Sequence, residues 1–146
     1  MTSTLPAVVD LGKALGHPAR LRILAMLRGG PLCVCQITAV LELAASTVSA
    51  HLLDLRRGGL VTEDKQGKWV HYALTADRRI VPVLEPALAL FEGDERVRAD
   101  AKLVAEVRRA PLVSFCRVGF RPGARRRAER QAAGVRRTGR ARASSR

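Results

Sequence analysis

The chain has few aromatic residues and few cysteines, and both shortages limit what it can be. Its 146 residues include one Trp, one Tyr and three Phe, so that the core must consist largely of aliphatic side chains. Three cysteines are poor material for a disulfide framework and are better suited to metal or redox chemistry in a reducing compartment. No run of about 18 apolar residues is present, and the first ten residues lack the basic segment of a signal peptide. We therefore expect a cytoplasmic protein that makes no membrane contact.

Acidic residues are also scarce, but the resulting positive charge is concentrated at one end. The formal net charge is +13. Residues 1–120 carry 16 basic and 12 acidic side chains, a net charge of +4, whereas residues 121–146 carry ten arginines against Glu129, a net charge of +9. The last segment has almost no apolar residues to bury, which predicts a disordered Arg-rich tail. Such a tail can add phosphate contacts to DNA, or it can be an extension without a function.

Sequence patterns of enzymes are missing as well. No Ser-His-Asp arrangement, phosphate-binding glycine loop or pair of carboxylates at catalytic spacing stands out. The cysteines are too few for a recognisable redox enzyme. We therefore predict that the chain is not an enzyme.

Apolar residues recur at helical spacing in four segments before residue 58. These segments predict helices over residues 5–15, 18–28, 34–42 and 46–57. Pro18 suits the first position of the second helix, and Gly29 ends it. Ser46 is expected to cap the fourth helix, and Gly58 with Gly59 to end it.

The next segment alternates between apolar and polar residues. Residues 61–63 and 69–74 flank a polar stretch, which predicts a β-hairpin. Two further helices are predicted over residues 77–91 and 93–110. The apolar face of the last helix is predicted to consist of Val97, Ala101, Val104 and Val107. Two short helices joined by a tight turn and followed by a hairpin predict a mainly α fold with a small β-hairpin, the winged helix-turn-helix.

In a helix-turn-helix the N-terminal part of the second helix enters the major groove of DNA. Small hydroxyl side chains at this end allow a close approach to base edges and phosphates, while basic residues at the helix end and the hairpin tip suit phosphates. The predicted DNA-binding residues are Ser46, Thr47, Ser49, Ala50, His51, Arg56, Lys65 and Lys68. Trp69 is expected to pack the hairpin against the helices, and His71 to be a structural histidine with its hydrogen bonds satisfied.

The stretch "PLCVCQI", residues 31–37, places two thiols one residue apart at the predicted start of the third helix. Gln36 follows Cys33 by three residues, the spacing of a capping box. Residues two apart in a regular helix point about 200° from each other, so that both sulfurs reach one ion only if the first turn unwinds. We hypothesise that ion binding distorts this helix and moves the recognition helix out of the groove.

Several of these motifs occur together in one family. The segments "HPARLRIL", "CVC", "STVSAHL" with "GLV", and "GKWVHYAL" resemble the ArsR/SmtB family of metal-responsive repressors across residues 9–91. The resemblance implies a homodimer that binds double-stranded operator DNA and leaves it when a metal or metalloid binds. It places the dimer interface on residues 5–15 and 77–91. The expected organisation is a DNA-binding and dimerisation domain over 1–92, a helical extension over 93–120 and the tail over 121–146.

The resemblance also bears on the sensing site. One type of family member binds zinc through Asp and His pairs on the fifth helix, but this sequence has no histidine after His71. The arsenic-sensing type has "CVC" followed three residues later by another thiol, and Thr38 stands at that position here. The predicted metal ligands are therefore Cys33, Cys35 and the remaining Cys116, from the same or the partner subunit. The implied inducer is As(III) or Sb(III), and no cofactor is required.

Two alternatives remain at this stage. The same fold can act as a thiol redox sensor or as a sensor of Zn(II) or Cd(II). The chain can also be a nucleic-acid-binding module without sequence preference, acting through its basic tail.

Overall fold

The computed structural model describes residues 4–116, without the side chains of Ser114 and Cys116. Within this range the chain forms helices α1 (Leu5–Leu15), α2 (Pro18–Leu27), α3 (Val34–Leu41), α4 (Ala45–Arg57), α5 (Val81–Ala89), α6 (Glu95–Arg109) and α7 (Val113–Cys116), and strands β1 (Leu32–Cys33), β2 (Val61–Gln66) and β3 (Trp69–Leu74). The predicted order of helices and hairpin is confirmed. The predicted Arg-rich tail lies outside the described residues.

The prediction that Ser46 caps α4 is wrong. The N-cap residue is Ala44, which provides no side-chain hydrogen bond, and Ser46 lies in the first turn of the helix. The turn before α4 is short because Glu42 ends α3 in the left-handed conformation, with φ of 56°. The chain therefore re-enters a helix two residues earlier than the capping pattern predicted.

Helices α3 and α4 meet at the angle of a helix-turn-helix. Their axes are bent by 115°, within the range of about 90–120° for this motif. Val48, Leu52 and Leu55 of α4 are fully buried and hold the helix on the core, as their spacing predicted. No single helix among the described residues is long and apolar enough to cross a membrane, and only the bent α3–α4 pair reaches the required length and composition.

The sheet contains one strand more than the predicted hairpin. Strands β2 and β3 pair antiparallel, and Gly67 occupies the first position of their two-residue turn with φ of 60°. On the other edge of β3 lies β1, with Leu32 opposite Tyr72 and Cys33 opposite His71. A strand of two residues is too short to show alternation, so β1 could not be predicted from the sequence pattern.

Helix α6 packs against α2 and α3. Val104 and Val107 are buried as predicted, but Ala101 is exposed, so that part of the predicted apolar face is wrong. Asp100 takes an inward position because it accepts two hydrogen bonds from Arg22 of α2, at 2.7 and 2.9 Å. The carboxylate that breaks the apolar pattern is therefore compensated by a cation from another helix. The fifth helix also differs from its prediction, since α5 covers only the central part of residues 77–91.

Candidate nucleic-acid interface and thiol site

The first turns of α4 present a row of small side chains to solvent. Ser46, Thr47, Ser49 and Ala50 are all exposed, whereas Val48 between them is fully buried. The helix is anchored on one side and unobstructed on the other. This arrangement suits the close approach of a helix to base edges in a major groove.

His51 lies at the border of this exposed face. Its ring is half-buried, and its centroid is 4.4 Å from that of His17, the N-cap residue of α2. Burial and the neighbouring His17 lower the pKa of His51. The structure thus places this predicted DNA-binding residue against the start of α2, next to the exposed hydroxyls of α4.

Arg56 connects the recognition helix to the wing, the hairpin formed by β2 and β3. Its guanidinium donates to Glu63 of β2 at 2.7 Å, and the hydroxyl of Tyr72 donates to the same carboxylate oxygen at 2.7 Å. These two hydrogen bonds, that of Tyr72 first, lower the pKa of Glu63. Burial, followed by the bond to Glu63, raises the pKa of Tyr72 to about 12. The residue predicted to contact phosphate is thus also a positioning contact for the wing.

The tip of the wing carries the two predicted lysines. Lys65 and Lys68 are both exposed. The Lys68 Nζ atom lies 5.1 Å from the ring centroid of Trp69, within the range of a cation–π contact. Trp69 is half-buried, and it is not among the described residues that pack against the core, so its expected role of packing the hairpin against the helices stays a prediction.

The thiols lie where β1 ends and α3 begins. Cys33 is the last residue of β1 and the N-cap residue of α3, and only 1% of it is exposed. Cys35, the second residue of the helix, is half-buried. The predicted capping box is present: Cys33 and Gln36 cap the helix reciprocally, and the Cys33 N–H donates to Gln36 Oε1 at 2.8 Å. Helix α3 therefore uses its first thiol residue as a cap.

Helix α6 holds the turn before the thiols. Gln36 Nε2 donates to the carbonyl oxygen of Val107 at 3.3 Å. Arg108 donates to the carbonyl oxygens of Pro31 at 3.0 Å and of Gly30 at 2.8 Å. Sequence reasoning missed this contact, because an arginine in the last turn of an amphipathic helix carries no signal for such a distant partner.

His71 faces the thiol site from the central strand. It pairs directly with Cys33, and its Nδ1 atom is buried without a hydrogen-bond partner among residues 4–116. The expectation of a satisfied structural histidine is therefore wrong at this atom. In the same range, no three His, Cys, Asp or Glu side chains already lie close enough together to hold a metal ion.

The other predicted ligand lies at the end of α7. This short helix packs against α3, and Phe115 is half-buried against the core. Cys116 is its last residue, and its side chain lies outside the described part of the structure. The chain thus brings the segment of Cys116 towards the helix that carries Cys35.

Apolar side chains remain exposed on α1 and on the segment around α5. They are Leu5, Val8, Val9, Val83 and Leu90, with exposed fractions of 44–89%. A groove of about 280 Å³ lies between the two segments and is lined by Ala7, Val8, Leu11, Ile80 and Val83 together with Arg57, Gly58, Gly59, Asp77 and Arg79. These are the segments expected to form the dimer interface.

The part of this chain that contains the helix-turn-helix resembles known proteins. Residues 17–63 match the family described as bacterial regulatory protein, arsR family. The arsenical resistance operon repressor of Escherichia coli (strain K12) is 42% identical over 76 residues, which cover 51% of this chain and 63% of that protein. Among solved structures, HlyU from Vibrio cholerae N16961 has 35% identity and a TM-score of 0.54, and the match covers 62% of this chain and 98% of that chain. The AntR antimony-specific transcriptional repressor has 31% identity and a TM-score of 0.50, with 66% and 86% covered.

These similarities confirm the predicted winged helix-turn-helix and the prediction that the chain is not an enzyme. The match covers 63% and 49% of the first two curated relatives, less than two thirds of each. The second of these is an arsenic resistance transcriptional regulator of Pseudomonas putida.

Proposed function

Because the chain belongs to the arsR family of bacterial regulatory proteins, we propose that it is a dimeric repressor that As(III) or Sb(III) releases from operator DNA. DNA is bound through α4 and the wing. The metalloid binds the thiols of Cys33 and Cys35. The observation that carries this proposal is the position of Cys33 as the N-cap residue of α3, the first helix of the helix-turn-helix.

The DNA-binding surface follows from the exposed side of α4. Ser46, Thr47 and Ser49 provide hydroxyls that can donate to and accept from base edges, and Ala50 leaves room beside them. Lys65 and Lys68 extend from the wing and neutralise phosphates, which fixes the register of the helix on DNA without reading sequence.

A dimer explains the exposed apolar residues of α1 and of the segment around α5. A two-fold interface uses the same surface of both subunits, so that one apolar patch covers another. Leu5 and Leu90 are 79% and 89% exposed in the single chain, a cost that burial against a second copy removes. A dimer also presents two copies of α4 to the two halves of an inverted repeat.

The release step follows from the geometry of the thiol pair. Cys33 lies before the helix and Cys35 lies inside its first turn. Bringing both sulfurs to one ion requires this turn to unwind, since regular helical positions two residues apart point away from each other. Unwinding separates Gln36 from Cys33 and so ends the capping box. Because α3 packs against α4, the recognition helix changes position.

Cys116 is proposed as the third thiol. As(III) and Sb(III) are soft centres that favour thiolate ligands, and Thr38 provides no sulfur. The packing of α7 on α3 supports the same subunit as the source of this ligand. The relatives support As(III) or Sb(III) as the inducer, since one is an arsenical resistance operon repressor and another an antimony-specific repressor.

The test is a fluorescence anisotropy titration of the chain on its own promoter DNA with As(III), Sb(III), Zn(II) and Cd(II). Wild type should dissociate with As(III) or Sb(III). Cys33→Ser and Cys35→Ser should bind the promoter normally and stay bound, because serine keeps the size but binds soft ions poorly. Normal dissociation of both variants at the same As(III) concentration would contradict the proposal.

A further inference from the structure

Arg20 of α2 connects the last turn of α1 to the recognition helix α4. Its Nε atom donates to the carbonyl oxygen of Ala14 at 2.9 Å, and its Nη2 atom donates to that of Lys13 at 2.7 Å. Its Nη1 atom donates to Asp54 Oδ2 of α4 at 3.0 Å, and only 13% of the arginine side chain is exposed. The guanidinium therefore uses all three of its nitrogens to hold two other helices at once.

The ends of α1 and α4 are also in direct contact. A Cβ atom added to Gly58, the C-cap residue of α4, would lie 2.7 Å from the Cβ atom of Ala14 and 3.2 Å from the carbonyl oxygen of Asp10. Ala14 is only 2% exposed. Because this packing leaves no space between the two helices, the position of the end of α4 is fixed by the end of α1.

A second contact from α2 fixes the rotation of α4. The ring of His17 lies against that of His51, with 4.4 Å between the centroids. His51 and Asp54 are three residues apart and therefore share one face of α4. Their partners His17 and Arg20 have the same spacing at the start of α2. Two points of contact oppose both displacement of the recognition helix and its rotation about its own axis.

Helix α1 extends this link to the proposed dimer interface. Leu5, Val8 and Val9 are 79%, 54% and 44% exposed, and they lie in the first half of the helix whose last turn binds Arg20. A continuous helix of 11 residues is a rigid unit about 16 Å long. The position of α4 relative to a partner subunit that contacts α1 therefore depends on the contacts of Arg20.

We propose that Arg20 is a positioning residue that fixes the distance between the two recognition helices of the dimer, and with it the spacing of operator half-sites that the protein accepts. This inference rests on the proposed dimeric binding of operator DNA and adds a rule for its geometry. In dimeric helix-turn-helix proteins the half-site spacing matches the separation of the recognition helices. One additional base pair moves a half-site by about 3.4 Å along the DNA and also rotates it, and a rigidly held helix cannot follow.

Arg20 acts through Asp54 and α1 and not by contacting DNA. Its three nitrogens already have acceptors, and the carboxylate of Asp54 beside it repels phosphate. Substitution of Arg20 should therefore leave the salt dependence of DNA binding unchanged. Loss of a phosphate contact would instead reduce the salt slope by about 1.

The test measures the affinity of the full chain for three operators by fluorescence anisotropy. One has the half-site spacing of the promoter, and the others have one base pair inserted or removed between the half-sites. Wild type should prefer the promoter spacing. Arg20→Lys should reduce this preference at least about 5-fold, the lower end of typical couplings between two sites, because one ammonium group cannot reach all three acceptors.

A second variant and a matched control isolate the contact between α2 and α4. Asp54→Asn should reduce the spacing preference in the same direction, and the double variant should lose less than the sum of the two single changes, since they share one contact. Arg22→Lys is the control, because Arg22 also binds a carboxylate but donates to Asp100 of α6. It should lower the affinity for all three operators alike, as a loss of stability alone does.

Three results would overturn the inference: a spacing preference that Arg20→Lys retains, an equal loss of preference in Arg22→Lys, or a reduced salt slope in Arg20→Lys. A wild type that binds all three spacings equally would overturn it as well. Sedimentation equilibrium of the wild type separates this inference from the proposed function. A chain that neither dimerises nor binds its promoter would refute both. Failure of As(III) to release the promoter would refute the proposed function and leave the spacing result standing.

Discussion

Gln36 and Cys33 together cap α3 and connect the start of this helix, where the proposed thiol site lies, to α6. The Cys33 N–H donates to Gln36 Oε1 at 2.8 Å, and the same glutamine donates through Nε2 to the carbonyl oxygen of Val107 at 3.3 Å. Gln36 is only 8% exposed. An ion that pulls Cys33 away from this position therefore disturbs a buried link between α3 and α6.

Gln36→Ala should destabilise the protein and make release easier. Loss of a helix cap costs about 0.5–2 kcal/mol, and a buried carbonyl of Val107 loses its donor as well. Chemical denaturation should show this loss, and the As(III) concentration that halves promoter binding should fall, because the ion no longer breaks the cap. Gln66→Ala, at an exposed position of the wing, is the control and should change neither value. An unaltered As(III) midpoint in Gln36→Ala would show that the cap does not affect the release by As(III).

Cys116→Ser should reduce the number of sulfur ligands around As(III). X-ray absorption should find three sulfurs in wild type and two in the variant, because no other cysteine remains. Adding Thr38→Cys to Cys116→Ser should restore three, since position 38 lies on the same helix face as Cys35, three residues away. A count of two in both wild type and Cys116→Ser would exclude Cys116 as a ligand.

Ser49→Ala and Thr47→Ala should weaken binding to the operator more than binding to random DNA. The loss of one base contact costs about 1–3 kcal/mol of discrimination. Lys68→Ala should weaken binding to both DNAs alike and lower the salt dependence, because a phosphate contact carries no sequence information. Anisotropy on both DNAs at several salt concentrations measures the difference. Equal losses for Ser49→Ala on the two DNAs would identify Ser49 as a phosphate contact.

Asp100→Ala should be among the most destabilising single changes in α6. Asp100 is 4% exposed and accepts two hydrogen bonds from Arg22, whose pKa is raised chiefly by this contact. Removing one partner of a buried ion pair costs about 3–5 kcal/mol, because the other charge remains buried. The double variant Arg22→Met/Asp100→Leu should recover most of the loss in denaturant titrations. The exposed pair of Arg28 and Glu85 provides the control, and Glu85→Ala should cost less than about 1 kcal/mol.

His51 should make the protein less stable at mildly acidic pH. Its pKa in the folded state is below the ordinary value of 6.5, first because of burial and then because of His17. As the pH falls below 6.5, the unfolded chain takes up the proton first, so that stability decreases until the folded pKa is reached. His51→Gln should reduce this decrease in urea titrations above and below that pH. In NMR titrations His17→Asn should raise the pKa of His51, and an unchanged value would remove His17 as a cause.

The sequence alone was enough to predict the features that depend on residues close together along the chain. The helical spacing of Val48, Leu52 and Leu55 predicted α4, and alternation predicted the wing, because both periods arise from backbone geometry. The capping box of Cys33 and Gln36 was also visible, since its partners are three residues apart. The exposed hydroxyls of α4 followed from the same helical geometry once the motif was recognised.

The tertiary structure alone decided how the thiol site is surrounded. Gln36 and Val107 are 71 positions apart, and Arg108 lies 77 and 78 positions from the two carbonyls that it binds. Strand β1 exists only because β3 offers its free edge, and this pairing places His71 opposite Cys33. Ser46 failed as a predicted cap because the short turn at Glu42 determines where α4 begins. Such contacts join residues that no local period connects, and their energy becomes available only after the core has brought the elements together.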